Sequence, residues 1–282
     1  MPNGTSRGPV LEIVDLVKEF PRPGRGLRSY LQPGWRRGKV RALDGVSFCV
    51  SGGSIFGILG TNGAGKTTLL RIIMNLLLPT SGKVTVMGRE LERNDYRYRR
   101  QLGMASGEER SFYWRLTGRR NLEFFASLQG LERRVASRRI DDVACLLGLE
   151  ENLDVPFSDY SAGMRQRMSL ARALLHDPEI LLLDEPTRSL SPETALPLQD
   201  FIRRRLVEER GKTVLLATQD MREAERLCRE LVLLDRGRIL YAGPLDELME
   251  RGKGELGEDA RLEDIFVALV GGGGSGVAGG AR

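Results

Sequence analysis

Gly60-Thr61-Asn62-Gly63-Ala64-Gly65-Lys66-Thr67-Thr68 is the stretch whose reading decides the fold. It fits G-x-x-x-x-G-K-[ST], the phosphate-binding loop. Gly60, Gly63 and Gly65 let the backbone curl so that successive N–H groups converge on one point. A helix opening near Lys66 turns the positive end of its dipole to the same point. At this spacing Lys66 reaches the β- and γ-phosphates of a nucleotide, and the Thr67 hydroxyl offers a ligand to Mg²⁺. Ser54 to Leu59 reads as a buried strand entering the loop, and Leu69 to Met74 as a helix leaving it. The plain alternative is a Gly-rich strand–helix turn that binds nothing. Strand, loop, Lys and Thr pair stand in register, which argues against it.

The chain has 282 residues, 41% of them hydrophobic, enough for one large domain or two small ones. Its net charge of +5 is mild for this length and suits an anionic ligand, a nucleic acid or an acidic membrane surface. Cys49, Cys145 and Cys228 form no C-x-x-C pair, so a reduced, cytosolic chain is the expectation. No apolar run approaches the ~18 residues that span a bilayer, and Met1 to Arg7 holds no apolar signal region. Work at a membrane therefore calls for docking onto another chain.

Val10–Val14, Val40–Val50, Ser54–Leu59 and Lys83–Met87 read as strands. Residues 94–150 are Arg-rich, with helical periodicity and few strand signals. From Ile180 strands and helices alternate: Ile180–Leu183, a helix from Pro192, Thr213–Ala217, a helix from Met221, Leu231–Leu234. Such alternation implies an α/β fold with a parallel sheet flanked by helices. Residues 21–41 hold many turn-formers, seven Lys or Arg and no acid. This basic stretch reads either as a solvated insertion between strands or as a contact for lipid headgroups or an acidic partner. The Gly-rich residues 271–282 read as a disordered tail.

Ile180-Leu181-Leu182-Leu183-Asp184-Glu185 is an apolar run ending in two acids. A strand buried on both faces has this character, and its C-terminal edge is where ligands bind in open α/β sheets. Beside a phosphate loop, Asp184 suits Mg²⁺ held through water, and Glu185 suits polarising the attacking water.

Tyr160-Ser161-Ala162-Gly163-Met164-Arg165-Gln166-Arg167 comes shortly before the acids. It resembles the signature motif of ATP-binding cassette (ABC) ATPases. The order of phosphate loop, helical insertion, signature and paired acids is similar to that family along most of the chain. The resemblance implies a P-loop NTPase (RecA-like) core with a β-rich N-terminal subdomain and a helical signature subdomain. The cassette is expected over residues 8–245, its helical part at about 90–165, with a C-terminal helical extension at 246–270. Ser161 and the N–H groups of Ala162 and Gly163, with Met164, open a helix as a second anion site. In the family this site closes on the γ-phosphate held by the opposite subunit, so that two ATP are sandwiched head to tail. Phe20 resembles the adenine-stacking aromatic, and Tyr30 and Trp35 are weaker candidates; the alternative for Phe20 is a core ring at a strand end.

Three positions depart from the family pattern. Its Gln, which in the family follows the first strand of the insertion, falls here within Leu102 to Arg110, at Gly107 or Glu108 depending on a one-residue gap. Glu108 can ligate a hard cation, whereas Gly107 has no side chain to do so. The switch His is replaced by Gln219, which can donate a hydrogen bond to a γ-phosphate but carries no charge. The Ser-x-Leu-Asp after the acids reads Ser189-Leu190-Ser191 before Pro192; Ser191 caps a helix there but brings no carboxylate. The sole His, His176, reads as a helix C-terminal residue, where a cation is mildly favoured.

Arg110 to Thr117 is the densest aromatic cluster of the chain. In ABC transporters this region receives a short helix of the membrane subunit; internal packing of the rings is the equal alternative. Residues 235–243 and 262–269 are similar to the C-terminal elements of drug-export cassettes, which pair with a separate ABC-2 permease. The resemblance implies an ATPase with ATP and Mg²⁺, a homo- or heterodimer, a permease partner, no nucleic acid, and a peripheral place on the cytoplasmic face of the plasma membrane. Its rivals are a regulatory subunit of weak hydrolysis and, less well supported, a soluble nucleic-acid-linked cassette.

Overall fold

The computed structural model describes residues 8–21, 38–107 and 111–271. Two sheets organise it. The first is antiparallel, with strand order β2-β1-β4-β5, built from β1 (Leu11–Pro21), β2 (Lys39–Val50), β4 (Ser81–Val86) and β5 (Arg89–Glu90). The second has six strands in the order β10-β9-β3-β8-β7-β6. These are β3 (Ile55–Leu59), β6 (Leu102–Ser106), β7 (Ile180–Asp184), β8 (Thr213–Thr218), β9 (Glu230–Asp235) and β10 (Arg238–Pro244). Its pairs are parallel except for β10 on β9.

The helices are α1 (Lys66–Ile73), α2 (Tyr96–Arg99), α3 (Gly118–Leu128), α4 (Arg133–Leu147), α5 (Ala162–Leu174), α6 (Pro192–Phe201), α7 (Met221–Leu227), α8 (Leu245–Leu256) and α9 (Leu262–Gly271). Helix α6 runs on in a wider π turn over Ile202–Glu208.

Strands buried on both faces must be apolar at every position, and their alternate side chains must feed different layers. The central strands obey this. Leu182, Leu215 and Val232 join one apolar cluster with the first sheet and α1. Leu181, Leu216 and Leu231 join another, with α3 to α7 and the C-terminal helices.

One sequence expectation needs correction. The stretch at about 90–165 is not helical throughout: β5 ends at Glu90, and β6 is an edge strand of the main sheet, paired with β7 in register from Leu102↔Ile180 to Ser106↔Asp184. Gly103 disguised that strand. A Cβ on it would stand 2.4 Å from the Ala173 carbonyl oxygen, so glycine is what lets α5 pack this close. The basic stretch 21–41 is partly neutralised. Lys39 and Arg41 lie on β2, where Glu19 of β1 accepts from both at 2.7 and 3.0 Å. Tyr30, Trp35, the remaining arginines of that stretch and the tail beyond Gly271 lie outside the described residues.

Candidate nucleotide site

The glycine loop runs from β3 into α1. Gly65 is the N-cap residue of α1 at φ 114°, and a Cβ there would lie 2.6 Å from the Ala42 carbonyl oxygen. At Gly60 a Cβ would lie 2.3 Å from the Leu234 carbonyl oxygen. The loop is thus pressed against β2 and β9 and tolerates no side chain at either position. Lys66 is 5% exposed and donates from Nζ to the carbonyls of Gly60 and Thr61 at 2.6 and 3.2 Å. Burial pushes its amine pKa down, while the Glu185 and Asp184 carboxylates hold it up. Glu185 Oε1 is 3.6 Å from Nζ.

Asp184 ends β7, and Glu185 follows at φ 53°, in the left-handed region. A non-glycine residue persists there only when its surroundings fix it. The Glu185 N–H donates to the Ala217 carbonyl at 2.8 Å, and the Arg188 N–H donates back to the Glu185 carbonyl at 3.2 Å. The Gly107 N–H donates to the Asp184 carbonyl at 3.3 Å.

Helix α5 brings the third element. Ser161 is its N-cap residue, and Oγ accepts from the Met164 N–H at 3.2 Å. Gly163 is held for packing: a Cβ there would meet Thr194 Cγ2 at 2.6 Å. A single cavity of about 530 Å³ joins these parts. Asn62, Gly63, Thr67 and Thr68 line it with Lys66, and so do Asp184, Glu185 and Ala162. Ala64 is buried behind the loop. The cavity fits a nucleoside triphosphate with a divalent cation: an amine and backbone donors for phosphate, and hard oxygens from Thr67 and Asp184 for the metal.

The sequence family model described as "ABC transporter" matches residues 43–188. The chain belongs to the ABC transporter ATP-binding family. It is 37% identical over 216 residues to the ABC transporter ATP-binding protein NatA of Bacillus subtilis, covering 77% of this chain and 87% of that one. It is 39% identical over 224 residues to the daunorubicin resistance ATP-binding protein DrrA3 of Streptomyces coeruleorubidus, covering 79% and 69%. Among solved structures, an ATP-binding subunit of an ABC transporter superposes with TM-score 0.71 at 28% identity over 93% of this chain and 99% of that one. A dimeric post-hydrolysis cassette bound to ADP and Pi superposes with TM-score 0.70 at 25% identity, over 83% and 98%. The cassette is an ATPase with the P-loop NTPase fold.

Not every residue singled out in the sequence reaches the cassette's cavity. Phe20 does not line it: the ring stands at the end of β1, 37% exposed, with Lys18 Nζ 5.2 Å above it. Gln219 is exposed between β8 and the Asp220 cap of α7, also away from the cavity lining. Gly107 lines the cavity, whereas Glu108 lies outside the described residues. Ser161, Gly163 and Met164 sit on the helix start beside Ala162 without lining it. Ser191 does occupy the N-cap of α6 before Pro192, but its hydroxyl pairs with Thr194 Oγ1 at 3.2 Å and caps no N–H. His176 follows the C-terminus of α5 and donates from Nε2 to the Leu102 carbonyl at 2.9 Å, and burial pushes its pKa down, against the cation that a helix end favours.

The sequence reading missed Arg71, Arg188 and Gln166 as lining residues. Arg71 had a signal, one helical turn beyond the loop on the α1 face that turns outward. Gln166 had a similar one, four residues on from Ala162 and so on the same face of α5.

Proposed function

We propose that the chain binds MgATP, forms a head-to-tail dimer around two nucleotides, and drives a separate ABC-2 type permease as an exporter. The observation that carries this is the single cavity shared by the Lys66 loop, the Asp184–Glu185 pair and the start of the signature helix. Lys66 and the loop N–H groups bind and orient the phosphates. Bound Mg²⁺ would be held by Thr67 and by Asp184 through water, and would neutralise developing charge on the γ-phosphate. Glu185 orients the attacking water and accepts its proton. Ser161 and the N–H groups of Ala162 and Gly163 meet the γ-phosphate of the opposite subunit. The difference in binding free energy between closed and open dimers performs the work.

A second cavity, of about 560 Å³, opens between the main sheet and the helical bundle. Leu76 and Leu128 on its walls are 62% and 68% exposed, and Arg71 and Arg172 also line it. This groove suits the permease helix. No helix of the described residues is long and apolar enough to cross a membrane. In this reading the permease is a separate chain and the cassette sits on the cytoplasmic face. Export is favoured by the names of the daunorubicin resistance and Nod factor export relatives; a methionine import protein, 34% identical, is named for the opposite direction.

A second reading is a subunit of weak hydrolysis that works beside a fuller sister cassette. The uncharged Gln219, standing away from the cavity, favours it. Size-exclusion chromatography of Glu185→Gln with MgATP, alongside turnover of the parent, tests both. Dimer formation that requires ATP, with turnover in the parent and none in the variant, is expected. A parent that stays monomeric and inactive, yet hydrolyses as Gln219→His, would favour the second reading.

A further inference from the structure

Among the described residues the mechanism leaves one buried acid unused. Glu223 lies in the first turn of α7 and is only 2% exposed. Its neighbours on that helix, Met221, Ala224 and Leu227, belong to the apolar core, where a carboxyl group is costly unless it is hydrogen-bonded. Glu223 is supplied on one oxygen only, while Oε2 is buried without a hydrogen-bond partner among the described residues. Oε1 accepts from Thr187 Oγ1 at 2.7 Å and from Gln199 Nε2 of α6 at 3.5 Å. The Thr218 hydroxyl, at the end of β8, lies near enough to favour the charged carboxylate. Thr218 Oγ1 in turn accepts from the Asp220 N–H at 3.0 Å, and Asp220 Oδ1 accepts from the Glu223 N–H at 3.3 Å. The carboxyl group therefore touches the loop after β7, helix α6 and the end of β8.

Thr187 is the contact that matters. It sits two residues beyond Glu185, inside a turn closed by Arg188 N–H to Glu185 carbonyl at 3.2 Å and Leu190 N–H to Thr187 carbonyl at 3.1 Å. Glu185 keeps its left-handed backbone, so the turn has to be held from both sides. The Ala217 carbonyl holds it on the strand side. Glu223, through Thr187, holds it on the other. We infer that Glu223 is a positioning residue for ATP hydrolysis: through Thr187 and Thr218 it sets Glu185 against the phosphate loop and fixes where the segment of Gln219 leaves the sheet. The inference rests on the reading of Glu185 as the group that acts on water.

The test compares Thr187→Val, Glu223→Gln and Glu223→Ala with the parent in steady-state hydrolysis, nucleotide affinity and urea midpoint. Thr187→Val keeps the side-chain shape and removes only the donor. A small misplacement of a reacting group costs up to about a hundredfold, so Thr187→Val should lower kcat by roughly tenfold or more. Its nucleotide affinity should stay within about twofold, since the phosphate loop is untouched. Glu223→Gln retains an acceptor oxygen for Thr187 and should recover most of the kcat that Glu223→Ala loses. The double variant Thr187→Val/Glu223→Ala should be no slower than the slower single one. Full kcat in Thr187→Val would overturn the inference, and so would a parallel fall of kcat and nucleotide affinity. Parental turnover in Glu185→Gln is a separate failure: it removes the role of Glu185 itself, whatever Thr187 does.

Discussion

At the scale of single residues the phosphate loop is the least forgiving part of the chain. Gly65→Ala forces a side chain into a left-handed backbone at φ 114° and against the Ala42 carbonyl. Strain of that kind costs about 1–3 kcal/mol, so the urea midpoint should drop and hydrolysis should fall with it. Glu185→Gln should behave differently. It leaves the fold intact and removes the proton acceptor, so kcat should fall by roughly 10²-fold or more while nucleotide binding survives. Lys66, Thr67, Asp184 and Glu185 were legible in the sequence because phosphate chemistry dictates both their types and their spacing. Glu223 was not. In the sequence it is one charged residue among several on a short helix, and only tertiary packing shows that its side chain turns inward.

At the scale of elements, the aromatic segment 111–117 divides its roles residue by residue. Phe112 is 5% exposed, stacked on Phe157 with centroids 4.6 Å apart, and set edge-on to Phe125. Phe112→Ala should cost about 3–5 kcal/mol, read as a loss of urea midpoint. Trp114 is 44% exposed and carries the Arg165 guanidinium 4.8 Å from its ring. An exposed contact of this kind contributes about 0.5–1 kcal/mol. Trp114 also meets Phe157 edge-on at 5.8 Å, so Trp114→Ala should lower the urea midpoint, though by less than Phe112→Ala does. Internal packing, one of two equal alternatives in the sequence, thus holds for Phe112, while Trp114 is part-exposed and stands outside the lining of the second cavity. The central strands were legible as unbroken apolar runs. Strand β6 was not, because Gly103 and Ser106 serve a close helix and a cavity wall and dilute its β character. Ser191 shows the same limit: Ser before Pro predicts a cap position, but not which partner the hydroxyl takes.

At the scale of the whole molecule, alternate residues of the main sheet's central strands feed two different apolar clusters. The amides of β3, β7 and β8, flanked on both edges, should exchange most slowly, and those of edge strands β6 and β10 sooner. His176 gives this assembly a pH dependence. Its folded pKa is depressed by burial, below the ordinary value near 6.5, so the unfolded chain takes up the proton more readily. This contribution is intact above about pH 6.5 and is lost as pH falls from there through the folded pKa. Between pH 7.5 and 5.5 the parent should lose more of its urea midpoint than His176→Gln does. The thiols of the chain also fall on different parts of the molecule. Cys49 on β2 and Cys145 on α4 are exposed, whereas Cys228 is buried and its pKa is pushed up by desolvation. Maleimide dyes would thus mark the antiparallel sheet and the helical bundle and spare the interior. The unaltered chain already carries the two ends of a fluorescence ruler between its antiparallel sheet and α4, whose separation can be read with and without nucleotide.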